Sequence, residues 1–184
     1  MQTKVILTIE QAVSRYLFYK TRESKSDFSE FVEEMKESYG SKFELEYLNQ
    51  SYVDFITARL AIDCHNLRYI YSDKITAKIL KHLLKSFTGD LDSGIKKHYQ
   101  GEFYFYSEIM LLYDNGKEDA RQVGYERIAE KFLTGILGDR LNHFMVESHS
   151  HEQGISPVFT RLAVNLLTSS RLNWEELSKR AEVE

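Results

Sequence analysis

The chain has 184 residues, 42% of them hydrophobic and 28% charged, with a formal net charge of −4. That is enough chain to bury a core, and the composition is that of a folded protein rather than a disordered one. It excludes a strongly basic protein that coats nucleic acid, though not a local basic patch. The single cysteine, Cys64, excludes an intrachain disulfide and a cysteine-rich zinc site.

Pro157 is the one proline, and nine glycines are scattered along the chain. Long segments therefore run without a strong breaker, which favours helix. The N-terminal apolar run before Glu10 is too short for a signal-peptide core. No segment approaches the roughly 18 apolar residues of a membrane helix. With one cysteine, a reducing, cytoplasmic location is expected.

In chain order, TIEQAVSRYLFYKTR (8–22) places Ile9, Val13, Tyr16 and Leu17 on one helical face. Asp27 and Glu30 have capping-box spacing, so a second helix is expected from there to a stop at Gly40. Residues 47–71 read as one long helix, and 72–87, opened by Ser72 or Asp73, as another that stops near Gly89. The segment 101–116 is ambiguous. Its Phe103-Tyr104-Phe105-Tyr106 run suits a strand, but Phe103, Tyr106, Met110 and Tyr113 fall at core spacing on a helix, and helix is favoured. Residues 117–146 are helical in pattern, with a break at Gly135 or Gly138. ESHSHEQGIS (147–156) reads as loop. Ser156 and Pro157 form a cap and first-turn pair, and Asn173 with Glu176 caps a last short helix.

The expected fold is all-α: one compact bundle of about seven or eight helices. Residues 1–146 form the helical core, and 147–184 a loop and C-terminal helical hairpin packed on it as part of one domain.

Charge is unevenly placed. Residues 23–46 carry eight acids against three lysines, and residues 68–98 carry seven bases (Arg68, Lys74, Lys78, Lys81, Lys85, Lys96, Lys97) against three acids. On a helix, Lys74, Lys78, Lys81 and Lys85 form one narrow stripe opposite an apolar face of Ile75, Ile79, Leu80, Leu83, Leu84 and Phe87. The rhythm is that of any amphipathic helix. The uniform sign is not, because like charges at i,i+3 and i,i+4 cost a few tenths of a kcal/mol each. Three readings fit: an ordinary solvated face, a match to the protein's own acidic segment 23–46, or contact with an external anionic surface.

Other candidates carry less. His143, Glu147, His149 and His151 could hold a transition metal, with His143 and Glu147 sharing a face if that segment is helical, but the spacing matches no named site. Asp139, Arg140 and this cluster also frame the alternative function, a metal-dependent enzyme or ribonuclease at 139–152. His65 and Arg68 form an H-x-x-R box that resembles the one in tyrosine recombinases, and TIEQAVSRYLFYK resembles their core-binding domain. The box comes too early, no strand-rich domain lies after it, and no upstream arginine and downstream tyrosine frame it. The resemblance therefore carries no catalytic assignment. In a DNA-reading hairpin, the last helix would present Trp174, Glu175 and Glu176 to phosphate, which the acids would repel.

The leading expectation is a non-enzymatic binding or regulatory protein that uses no cofactor. Its partner would be another protein or a nucleoprotein complex, met through the lysine stripe or through segment 23–46, with no membrane involved and a homo-oligomer possible. Small acidic helical chains of this type are common among phage and mobile-element proteins that inhibit or adapt host machinery.

Overall fold

The structure, a computed structural model, describes residues 4–45, 48–114, 116–147, 153–171 and 173–184, without the side chains of Lys42, Glu147 and Gln153. It is all-α, as expected. The helices are α1 (Ile9–Tyr39), α2 (Leu48–His65), the single turn α3 (Leu67–Ile70), α4 (Asp73–Phe87), α5 (Ser93–Tyr113), α6 (Glu118–Leu137), α7 (Pro157–Thr168) and α8 (Trp174–Arg180). Among the described residues four three-residue strands accompany them: β1 (Val5–Leu7), β2 (Met145–Glu147), β3 (Gln153–Ile155) and β4 (Ala181–Val183).

α2 is the axis of the bundle. Every residue from Phe55 to His65 is buried, so the helix is enclosed on all sides, as a central helix must be. α5 and α6 pack against it, α7 lies against α6 and α2, and α4 lies along α1. Aromatic rings close one end: Phe144 stacks on Phe159 at 4.5 Å between centroids, with Phe31, Phe43 and Tyr39 around them.

Several boundaries differ from the sequence reading. α1 is one helix of 31 residues, not two. Nothing between Arg22 and Asp27 breaks it, and Asp27 turns inward to Arg59 instead of capping. The cap is at Thr8, in a reciprocal box with Gln11. The expected helix 47–71 divides at Asn66 into α2 and α3. The segment 101–116 is helical through Tyr113, with Phe103, Tyr106 and Met110 buried. α6 ends at Gly138, whose φ of 49° and ψ of −125° suit only glycine. The chain then makes a tight 3₁₀ turn over Gly138–Phe144 and enters β2, which pairs antiparallel with β3. The ends of 147–156 are therefore strand, not loop, while residues 148–152 lie outside the described residues.

β1 pairs in parallel with β4, Val5 against Ala181 and Leu7 against Val183. This ties the C-terminal helices to the start of α1. Trp174, fully buried, stacks on Tyr16 at 4.4 Å and packs the hairpin on the body. Among the described residues, no helix is long and apolar enough to cross a membrane.

Candidate functional site

The lysine stripe sits where helical geometry puts it. Ile79, Leu83 and Leu84 are buried on the inner face of α4, worth roughly 1.5–3 kcal/mol each. Lys74, Lys78, Lys81 and Lys85 are all exposed on the other side. Ser72 occupies the N-cap position, although its side chain makes no capping bond. His82, beside the stripe, lies 3.4 Å from Glu10.

Among the described residues, none of the four lysines makes an ion pair. The described acids of this segment, 23–46, with Glu46 lying outside the described residues, are engaged elsewhere or face solvent. Glu23 and Asp27 go to Arg59, Glu33 to Lys36 at 3.0 Å, and Glu44 to Arg140 at 2.7 Å. Glu30, Glu34 and Glu37 are exposed. Among the described residues, the stripe and the acidic segment are thus not matched to each other.

Three further basic candidates part company with the stripe. Lys96 is half-buried and Lys97 exposed, both on α5. Arg68 turns inward: its Nη2 donates to Asp114 Oδ2 at 2.9 Å and to the Tyr69 hydroxyl oxygen at 2.8 Å. The H-x-x-R box is therefore half of a cluster at Asp114. The carboxylate is fully buried and also meets His65 Nε2 at 2.5 Å, the Tyr69 hydroxyl at 2.7 Å and the Gly116 N–H at 2.9 Å, with Arg121 Nε 3.8 Å away. Burial alone would raise Asp114, but the bonds from His65, Gly116, Tyr69 and Arg68 outweigh it and hold the carboxyl well below its ordinary range. His65 is lowered, first by burial and then by the Arg68 charge, against the pull of Asp114. The cluster locks the α5–α6 connection onto the end of α2.

A second charged cluster lies between α1, α2 and the turn before α8. Lys20 and Arg59 are both fully buried. Lys20 Nζ meets Asp63 Oδ2 at 2.6 Å and bonds Ser170, and Tyr16 donates to the same Asp63 oxygen at 2.7 Å. Arg59 meets Asp27 at 2.6 Å and Glu23 at 3.5 Å, and Glu23 accepts from the Arg171 N–H at 2.6 Å. Two buried cations are thus balanced by three acids. Sequence reading missed this cluster. The visible signal was Arg59 and Asp63 at i,i+4 inside an otherwise apolar run. Cys64, beside Asp63, has its thiol pushed up by burial, so it is a packing residue.

The 139–152 region does not form the helical face expected of it. His143 is exposed in the 3₁₀ turn and Glu147 ends a strand, so they are not i,i+4 neighbours on a helix. His149 and His151 lie outside the described residues. Arg140 donates to the Ser41 carbonyl and to Glu44. A cleft of about 500 Å³ opens there, lined by Glu44, Asp54, Asp139 and Arg140 among others. Burial raises the Asp54 carboxyl. Among the described residues, no three His, Cys, Asp or Glu side chains converge as metal ligands.

No family model, curated protein or solved structure matches the chain.

Proposed function

We propose that this is a non-enzymatic binding protein that engages an anionic surface of another macromolecule through Lys74, Lys78, Lys81 and Lys85. One observation carries the reading: four exposed lysines stand in line on α4 with no acid among the described residues paired to them, although the chain has an acidic excess. Each like-charged step costs the helix a little, and an external anion would offset that cost. The Asp114 cluster supports a structural role for Arg68, whose guanidinium bonds Asp114 and Tyr69 inside the fold. A reducing, cytoplasmic setting suits the single buried thiol.

The test is comparative affinity capture from host extract, with the wild-type chain and the K74Q/K78Q/K81Q/K85Q variant as baits. A partner retained by the first and lost by the second supports the reading. An identical set on both baits refutes it. The alternative, a metal-dependent enzyme or ribonuclease at 139–152, has the raised Asp54 in its cleft as support. Metal analysis of the purified protein decides it, sub-stoichiometric metal ending the metal-dependent form.

A further inference from the structure

α5 buries one face and leaves the opposite one apolar. Phe103, Tyr106 and Met110 point into the core. On the outer side Tyr104 is 60% exposed, Phe105 45%, Leu111 56% and Leu112 77%. With 3.6 residues per turn, these four fall within about 120° of arc, together with Lys97, Gly101 and Glu108. A monomer that leaves two adjacent leucines in water on a regular helix is exposing a surface of the kind used for association.

Gly101 is the second observation. Glycine is among the poorest helix formers, yet Gly101 lies inside the 21-residue α5. Beyond its neighbours and its own helix backbone, no atom of the described residues lies within 4 Å of where its Cβ would be, and its φ is not positive. No internal contact and no backbone conformation requires a glycine there. Close approach of something outside the chain would.

We infer that the outer face of α5 is a homodimer interface, in which the α5 helices of two copies cross antiparallel about a two-fold axis. The face complements itself in that arrangement. With the axis between Tyr106 and Ser107, Leu112 of each copy sits over Gly101 of the other, a large side chain in the hollow left by a missing one. Leu111 meets Tyr104, and Phe105 lies beside the Glu108 stem. Isologous contacts need this matching of a patch with itself. The four side chains expose roughly 500 Å² per copy, taking about 200 Å² for each large side chain. A stable interface buries about 800 Å² per partner, so these four side chains alone account for more than half of one. Neighbouring ionic groups are already satisfied, since Lys131 pairs with Glu102 at 3.5 Å and lies over the Phe105 ring. Association leaves that flanking pair intact, while Lys97 and Glu108, exposed on the face itself, keep their charged ends at the rim. The interface is separate from the lysine stripe on α4, so dimerisation and stripe binding can fail independently.

Sedimentation of the full chain across a micromolar dilution series tests this. The expected mass is twice 21.6 kDa, falling to the monomer value in Leu112→Asp and in Leu111→Asp with helicity by circular dichroism unchanged. Gly101→Leu provides a control expected to fold, because the position is exposed, its Cβ site is open and leucine is the better helix former. It should keep or raise the melting temperature while weakening dimerisation at least tenfold. A wild-type chain that stays monomeric throughout overturns the inference. So does a dimer indifferent to Gly101→Leu and to whichever aspartate variants fold.

Discussion

Replacing Asp63 with alanine would leave two buried groups without their shared acceptor. The Lys20 ammonium and the Tyr16 hydroxyl both meet Asp63 Oδ2, at 2.6 and 2.7 Å, and both residues are fully buried. Removing one partner of a buried pair costs about 3–5 kcal/mol, most of it the penalty of the stranded charge. Lys20 would keep Ser170 and Glu23, the latter 3.6 Å away, so the low end, about 3 kcal/mol, is expected. For a chain of this size that lowers the melting temperature by about 6–12 °C. Urea unfolding followed by Trp174 fluorescence reports it directly, because that ring is buried against Tyr16. The midpoint should fall with the slope unchanged. The double variant Lys20→Met/Asp63→Leu removes the charges together and should recover most of the loss. A single variant costing less than about 1 kcal/mol would refute the reasoning, and so would a double variant as unstable as the single.

Changing Lys74, Lys78, Lys81 and Lys85 to glutamine should leave the melting temperature unchanged or slightly higher, since helix propensity is kept and like-charge contacts are removed. A clear drop in a thermal melt would mean the stripe balances charge within the chain. Stability should fall on acidification, and both members of the Asp114 cluster act in the same direction. His65 is lowered, so below its ordinary value near 6.5 the unfolded chain takes up a proton that the folded chain resists. Asp114 is also lowered, so its contribution, complete above the ordinary carboxylate range, is lost as pH falls through that range and below. In a plot of melting temperature against pH, Asp114→Asn should flatten the part of the acid limb in and below the carboxylate range while the His65 part remains, and an unaltered carboxylate part would contradict the assignment. Gly138→Ala, at φ 49° and ψ −125°, should cost about 1–3 kcal/mol in denaturant unfolding.

The helices were legible because helix leaves a local record. The scarcity of breakers, the Ser156–Pro157 start and the Asn173 cap each lie within a few residues of what they determine. The lysine stripe was legible for the same reason, being a product of helical periodicity alone. What stayed hidden depends on partners distant in sequence. Asp27 has ideal spacing for a cap, yet Arg59, 32 residues away, takes its carboxylate. Arg68 looks like a free basic residue until Asp114, 46 residues on, is brought to it. The β1–β4 pairing joins the two ends of the chain, and three-residue strands have no periodicity to detect. Gly101 is visible in the sequence, but only the structure shows that nothing inside the chain requires it.

The stripe is tested most directly by equilibrium binding to a DNA duplex and to polyglutamate, measured across a salt series for the wild type and the quadruple glutamine variant. Wild-type chain should bind at least one of them, with affinity falling as salt rises. In the variant that binding should be lost or its salt dependence flattened. For the duplex, each lysine removed from a phosphate contact should lower the slope of log K against log salt by roughly 0.7–0.9. Failure of the wild type to bind either polyanion at low salt, or equal binding by both proteins, would contradict the assignment of Lys74, Lys78, Lys81 and Lys85 as the binding face.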